Sequence, residues 1–401
     1  MLVFALGLYN LRAFFILKFL CVRTFLPFPK KLKRNVMTDH DYMRRAIDLA
    51  KRARGFTNPN PMVGAVIVKN GVIIGEGYHK RCGELHAERN AFASLENASD
   101  AEGATIYVTL EPCCHYGKTP PCTEAIIEHK IKRVVIGSRD PNPLVSGKGA
   151  ALLREHGIEV CEDFLREECD AINHIFFHYI TTKRPFVTVK YAMTMDGKIA
   201  TKTGASKWIT GDEARGEVQK MRHNHMAIMA GIGTVLADDP MLNVRVDGLK
   251  SPIRVICDSK LKIPLESQIV NSANTYRTIV VCASEDKEKI DALNAKQVEV
   301  VCLPNDEGKV DLVKLIEYLG AQQIDSVFVE GGAILNDSLF RLGLVNRVES
   351  FVAPKVFGGA MAKSPVEGEG ISLVDEAKLF SLSEIKQIGE DVLLSYERQV
   401  D

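Results

Sequence analysis

The sequence predicts an α/β protein built from two successive units. Short β-rich runs alternate with helix-period segments in both halves of the chain, the pattern of sheets covered by helices. A polar junction, Thr181-Thr182-Lys183-Arg184-Pro185, separates the halves. The 401 residues are 46% apolar and 25% charged. That length suits two or three domains, and the composition excludes disorder or coiled coil for the bulk of the chain.

In the first unit, Met43, Ala46, Ile47 and Ala50 recur at helical spacing over 39–55. Asp39 or Asp41 is placed to cap that helix and Gly55 to end it. Val63–Val68, the turn Asn70-Gly71 and Val72–Ile74 read as a hairpin. Helices follow over about 86–97, 120–129 and 150–156, with strands over 105–110, 132–137 and 158–161. This unit closes near 162, and one helix over 163–182 leads to the junction. The second unit reads as strands over 186–191, 226–230, 253–257, 278–282, 298–302, 325–329 and 347–353. Its helices are expected over 212–224, 311–319 and 332–341. No internal repeat relates the halves.

Lys plus Arg and Asp plus Glu are 51 each, so the chain is formally neutral. Neutrality argues against a nucleic-acid surface, which needs clustered cations. Of ten cysteines, Cys82, Cys113, Cys114, Cys122 and Cys161 fall in one 80-residue stretch. A large α/β chain does not need disulfides, so a reducing, cytoplasmic setting is expected and the tight group reads as a metal or catalytic site. Residues 1–36 hold seven basic and no acidic residues, interrupted by Arg12, Lys18 and Arg23. No apolar run there reaches the roughly 20 residues of a membrane span, so no stable membrane association is expected. The stretch resembles an organelle-targeting leader but is poor in Ser. The favoured reading is a leader outside the fold, with Met37 as the effective start.

The strongest signal is His86-Ala87-Glu88 followed by Pro112-Cys113 and then Cys122. One imidazole and two thiolates leave the fourth tetrahedral position of a zinc ion open, as in catalytic sites. Zinc lowers the pKa of a bound water to about 7, and Glu88, two residues from a ligand, can shuttle protons. His86 and Cys122 lie at expected helix starts, which favour thiolate over thiol. The order His-x-Glu then Pro-Cys matches the zinc nucleobase deaminases, except that eight residues, not two, separate the cysteines. Cys114 is a spare thiol that could replace Cys113, though the Pro-Cys pair favours Cys113. In the long loop, Lys118 can meet an anionic group and His115 can hydrogen-bond. Asn60 carries the donor and acceptor needed to read a pyrimidine edge, or is simply a turn residue.

Together, Thr57-Asn58-Pro59-Asn60-Pro61-x-Val63-Gly64, His86-Ala87-Glu88, Glu111-Pro112-Cys113-x-His115-x-Gly117-Lys118-Thr119-Pro120-Pro121-Cys122 and Arg139-Asp140-Pro141-Asn142-Pro143 resemble the bifunctional deaminase/reductases of riboflavin biosynthesis. The resemblance runs from about Met37 to the C-terminus. It implies a cytidine-deaminase-like three-layer α/β/α domain over 37–182 and a dihydrofolate-reductase-like α/β domain over 183–401. It implies zinc on His86, Cys113 and Cys122, Glu88 as proton donor, and a small phosphorylated pyrimidine as substrate. The first half would deaminate 2,5-diamino-6-(5-phosphoribosylamino)pyrimidin-4(3H)-one. The second would reduce the ribosyl group of the product to ribityl with NADPH, giving 5-amino-6-(5-phosphoribitylamino)uracil. A homo-oligomer is expected.

Taken alone, the second half is less informative. Gly231-Ile232-Gly233 lacks the third glycine of a dinucleotide fingerprint. Val327-Phe328-Val329-Glu330-Gly331-Gly332-Ala333 can instead place a phosphate at a helix N-terminus, or be an ordinary strand-to-helix turn. The resemblance extends over Val189–Ala200, Ser206–Thr210 and Gly233–Arg245. It implies an NADP site from Ala192, Trp208, Thr234, Asp238, Ser259, Gly331 and Gly332. It implies substrate contacts from Lys190, Ser206, Arg222, Leu242, Arg245 and Glu330. Arg222 and Arg245 suit a phosphate, which guanidinium binds bidentately. The competing readings are a single-function zinc deaminase with a binding domain behind it, and a structural zinc protein. Three ligands and an adjacent Glu count against the latter.

Overall fold

The computed structural model describes residues 37–116, 120–142 and 145–399. The expected leader and Lys118 lie outside them. The first helix, α1 (Asp39–Lys51), is capped by Thr38 rather than by Asp39 or Asp41. Both the Thr38 backbone N–H and its hydroxyl donate to Asp41 Oδ2, each at 2.8 Å. The acidic residue thus closes the cap from three positions inside the helix.

A five-stranded sheet follows, from β1 (Gly64–Lys69), β2 (Val72–Tyr78), β3 (Thr105–Leu110), β4 (Arg133–Ser138) and β5 (Glu159–Cys161), ordered β2-β1-β3-β4-β5. β1 runs antiparallel to β2 and β3, whereas β3, β4 and β5 are parallel. Its helices are α2 (Ala87–Ala93), α3 (Cys122–Glu128), α4 (Lys148–Glu155) and α5 (Arg166–Ala171). Side-chain alternation sorts the layers. Ala65 and Ile67 of β1 pack with α2, α3 and α4, while Val66 and Val68 pack with α1 and α5. This is the expected three-layer arrangement. Gly64 marks where α1 and β1 touch at backbone level, since a Cβ there would lie 1.9 Å from the Ala46 carbonyl oxygen.

Residues 163–182 are not one helix. α5 stops and α6 (His174–Thr182) begins after Asn173. The Asn173 side chain accepts from the Met62 N–H at 2.8 Å and donates to the Met62 carbonyl at 2.9 Å. A side chain acting as a backbone partner to another segment interrupts the helix, and no helical periodicity reveals it.

The second sheet comprises β6 (Phe186–Thr194), β7 (Ala227–Gly231), β8 (Ile253–Cys257), β9 (Thr278–Cys282), β10 (Glu299–Cys302), β11 (Ser326–Val329), β12 (Arg347–Ala353), β13 (Phe380–Ile388) and β14 (Asp391–Arg398). Their order is β10-β9-β8-β7-β11-β6-β12-β14-β13, parallel up to β12 and antiparallel beyond it. The helices are α7 (Asp212–Asn224), α8 (Ile232–Asp238), α9 (Gln268–Asn271), α10 (Lys287–Ala295), α11 (Leu312–Ala321) and α12 (Ala333–Arg341). α8, α9, α10 and the β13–β14 hairpin are absent from the sequence reading. α10 buries only Leu293, and β13 is exposed over most of its length, so neither carries the periodic apolar signal of a core-facing element.

Residues 37–401 pack as one compact unit, although each sheet is built from its own stretch of chain. Asn58 Nδ2 donates to Asp325 Oδ2 at 2.7 Å, and the His223 ring bonds the Arg54 carbonyl at 3.0 Å. Among the described residues, no helix is long and apolar enough to cross a membrane. Gly64→Ala should force α1 and β1 apart and cost about 1–3 kcal/mol, the usual penalty for overpacking. Urea unfolding of the variant at unchanged zinc content checks this.

Candidate active sites

The first site lies where two helices start beside the ends of strands. His86 is the N-cap of α2 and Cys122 is the first residue of α3. Pro121 is the N-cap of α3. Cys113 follows β3 by three residues. His86 Nδ1 is 3.5 Å from Cys113 Sγ and 3.4 Å from Cys122 Sγ. All three donor atoms lie within 4.8 Å of one another. The Cys122 backbone N–H also donates to Cys113 Sγ at 3.3 Å.

This donor set fits zinc: two soft sulfurs and one nitrogen converge in a half-buried pocket with no fourth protein ligand among the described residues. A hydrogen bond from the Cys122 thiol holds the Cys113 thiol down to about 4, with His86 adding to the effect. Cys122 is correspondingly raised by its partner and by burial. Two thiols with divided proton affinity are poised for a cation to displace the proton. Cys114 is set apart, its thiol pushed up by burial and by Glu111. Glu88 is 3% exposed, and burial raises its carboxyl from the ordinary range. It contacts the Cys122 thiol rather than joining the donor set.

A cavity of about 460 Å³ opens over these residues, within the range of small-molecule pockets. Asn60 lines it. Its Nδ2 is 3.3 Å from His79 Nε2, and His79 Nδ1 is 3.1 Å from the Leu85 carbonyl. A carbonyl only accepts, so Nδ1 carries the proton and Nε2 accepts from Asn60. The Asn60 amide is thereby fixed. The turn reading of Asn60 also holds, since its N–H donates to the Thr57 carbonyl at 2.8 Å. His79, Phe176, Tyr179, Lys183 and Gln323 also line the cavity and were missed in the sequence. Asp140 and Asn142 line it too, and the Asp-Pro-Asn motif had flagged that loop. Burial pushes Asp140 up to about 6.

In the second sheet, Glu330 directly follows β11. Arg222 of α7 grips it through two nitrogens, at 2.5 and 3.0 Å, and Lys190 of β6 is 3.8 Å away. Burial opposes the carboxylate, but the charges of Arg222, Lys190 and Arg245 outweigh it and hold Glu330 down to about 2. Arg222 also donates to the Asn243 carbonyl at 2.8 Å, which places the adjacent Leu242 in the same neighbourhood. Lys190, Arg222, Leu242, Arg245 and Glu330 are therefore brought together.

The expected cofactor residues are spread along the strand ends. Gly332 is the N-cap of α12, and a Cβ on it would lie 3.9 Å from Thr234 Oγ1. This leaves an open helix N-terminus beside Thr234, a cradle suited to a phosphate. Gly331 packs against Leu335, which a Cβ would approach to 2.9 Å. Asp238 pairs with Lys207 at 3.1 Å, next to Trp208. Trp208 is 61% exposed, with the Arg215 guanidinium 4.6 Å from its ring centre, so it is not a core aromatic. Ala192 lies on β6, and Ser259 follows β8, where its Oγ accepts from the Val310 N–H at 3.1 Å. Among the described residues no hydrogen bond joins Ser206 or Ser259 to the Glu330 cluster.

Fold and first site together define a zinc-type deaminase carrying a second α/β catalytic half. Residues 36–138 match the cytidine and deoxycytidylate deaminase zinc-binding region, and residues 185–394 match the RibD C-terminal domain. The chain is 56% identical over 360 residues to riboflavin biosynthesis protein RibD of Actinobacillus pleuropneumoniae, covering 90% of this chain and 95% of that protein. The corresponding Aquifex aeolicus protein is 43% identical, with 90% and 98% covered. A solved Thermotoga maritima deaminase/reductase superposes with a TM-score of 0.80 at 41% identity, covering 89% of this chain and 98% of that one. Acinetobacter baumannii RibD gives 0.80 at 37%, covering 90% and 98%. The chain belongs to the RibD family of bifunctional riboflavin biosynthesis enzymes, at once a deaminase and a reductase.

Glu330→Gln should leave Arg222 and Lys190 buried without a counter-charge and cost about 3–5 kcal/mol at neutral pH. Because the folded carboxyl is held below its ordinary 4.5, its stabilisation is present above that pH and is lost as pH falls toward about 2. The gap between wild type and variant in urea unfolding should narrow steadily below pH 4.5.

Proposed function

We propose that residues 37–182 form the deaminase and residues 183–401 the reductase, acting in sequence on one phosphorylated pyrimidine. The first would convert 2,5-diamino-6-(5-phosphoribosylamino)pyrimidin-4(3H)-one to its uracil counterpart. The second would reduce the ribosyl group to ribityl, giving 5-amino-6-(5-phosphoribitylamino)uracil. The observation carrying this reading is the convergence of His86, Cys113 and Cys122 beside a buried Glu88.

In the first half, His86, Cys113 and Cys122 hold zinc, which when bound supplies the Lewis acidity that brings a water's pKa to about 7. Asn60, locked by His79, presents its free carbonyl oxygen and remaining N–H to the pyrimidine edge. Glu88 takes the proton of the attacking water and passes it to the ring nitrogen. It then relays the second proton to the departing amine, which leaves as ammonia. Its burial suits this work, since it raises the carboxyl above its ordinary range and makes it readier to hold a proton and pass it on. Lys118 and the cavity wall would receive the phosphoribosyl group.

In the second half, Ala192, Trp208, Thr234, Asp238, Ser259, Gly331 and Gly332 would hold NADPH, which supplies the hydride. Ser206, Lys190, Arg222, Leu242, Arg245 and Glu330 would hold the substrate. The protein's part is mainly orientation and electrostatics. Glu330 fixes Arg222 and Lys190, and Arg245 remains exposed for the phosphate. We place the enzyme in the cytoplasm, in keeping with its bacterial RibD relatives. A homo-oligomer is supported by the exposed Leu382 and Ile385 on the edge strand β13.

Glu88→Gln should keep its zinc and lose deamination by about 10²–10⁴-fold, the usual worth of a positioned acid/base. Metal analysis alongside ammonia release checks it, and loss of zinc would make Glu88 a ligand instead. Cys122→Ala should stop deamination yet leave NADPH-dependent reduction of supplied deaminated intermediate. If folded Cys122→Ala protein fails that second assay, the two-centre reading is wrong.

A further inference from the structure

We propose that Lys183, on the junction between the halves, is a phosphate-binding cation of the deaminase cavity; this rests on the deaminase reading above. Four carboxyl groups line that cavity: Glu84, Glu88, Glu111 and Asp140. Lys183 is the sole Lys or Arg among its described lining residues. The substrate brings a phosphomonoester, close to a dianion at neutral pH. Such a group is repelled by the carboxylates and drawn to the wall that carries Lys183.

That wall is firmly built. Lys183 is the C-cap of α6, with φ 58 and ψ 17, and its N–H donates to the Tyr179 carbonyl at 2.8 Å. α11 holds it from the other side, because a Cβ on Gly320 would lie 2.1 Å from the Lys183 carbonyl oxygen. Tyr179 reinforces the seam by donating its hydroxyl to the Gly320 carbonyl at 3.1 Å. The Lys183 ammonium lies 5.9 Å from the Tyr179 ring centre and has no ion pair among the described residues. The neighbouring Arg184, by contrast, is committed to Glu317 at 2.5 Å. Gln323, also lining the cavity, makes no side-chain hydrogen bond among the described residues and can donate to the same phosphate.

The junction therefore completes the deaminase site. Lys183 acts by holding the phosphate while the pyrimidine sits over the metal ligands, so it should govern binding and leave the chemical step alone.

Ammonia release should be measured for wild type, Lys183→Met and Lys183→Arg, on the phosphorylated substrate and on its dephosphorylated counterpart. Lys183→Met should raise KM for the phosphorylated substrate by about 10- to 150-fold, the worth of one charge-assisted contact, with kcat little changed. KM for the dephosphorylated compound should not move, and Lys183→Arg should restore most of the affinity. Zinc content and reduction of supplied intermediate confirm that each variant is folded. Unchanged KM in Lys183→Met overturns the proposal, as does equal loss on both substrates. A wild type that releases no ammonia overturns the deaminase reading along with it.

Discussion

Everything in the first half is arranged around bringing two cysteine sulfurs and an imidazole within 4.8 Å of one another below the surface. Anionic sulfurs are costly to bury, and the fold offsets the cost locally. Cys122 opens α3, and its own N–H donates to Cys113 Sγ, so backbone dipoles face the negative charge. The sheet fixes the spacing: β3 delivers Cys113, and the same sheet seats α2 and α3 side by side. Glu111, just before the Pro-Cys pair, accepts from the Gly147 and Ala150 N–H groups at 2.9 and 3.2 Å. The loop after β3 is thereby tied to the start of α4, and the cavity wall that carries Asp140 is held against the metal ligands.

The second half solves the opposite problem. Its cluster gathers Lys190, Arg222 and Arg245 around the single carboxylate Glu330. Three cations near one anion leave surplus positive charge, which suits the phosphate proposed to bind there. Glu330 spends itself orienting Arg222, whose planar fork then has a fixed direction. The parallel pairing of β6 with β11 makes this possible, because Val189 lies opposite Val329 and so sets Lys190 beside Glu330.

The parts legible in the sequence were those with short-range grammar. His86-Ala87-Glu88 and Pro112-Cys113 announced the metal site because ligand spacing is a local property. β1, β3, β4 and the parallel strands of the second sheet stood out as apolar runs between turn residues. What stayed hidden depends on distant chain. The break at Asn173 exists because that side chain pairs with Met62, 111 residues away. His79 looks like any strand-end histidine until Leu85 and Asn60 occupy its two nitrogens. β13 is exposed for most of its length, so its apolar residues, Leu382 and Ile385 among them, do not mark a core-facing strand. The resemblance to riboflavin deaminase/reductases named the Glu330 cluster in advance. Residue chemistry alone pointed only to the arginines.

β11 meets the first half at one end and carries the Glu330 cluster at the other. Asp325, just before the strand, accepts from Asn58 of the first half, and its carbonyl accepts from the Phe186 N–H that starts β6 at 2.7 Å. Burial pushes the Asp325 carboxyl up to about 6, so this seam is a desolvated polar contact and not a loose surface one. Glu330 lies five residues further on, at the other end of the strand. At about 3.3 Å per residue that is on the order of 15 Å. The N-terminal ends of β6 and β11 thus face the first half, while the C-terminal end of β11 carries Glu330. A side chain spans far less than this distance, so the Asn58–Asp325 seam and the Glu330 cluster do not touch. The strand fixes the spacing between this seam and the Glu330 cluster.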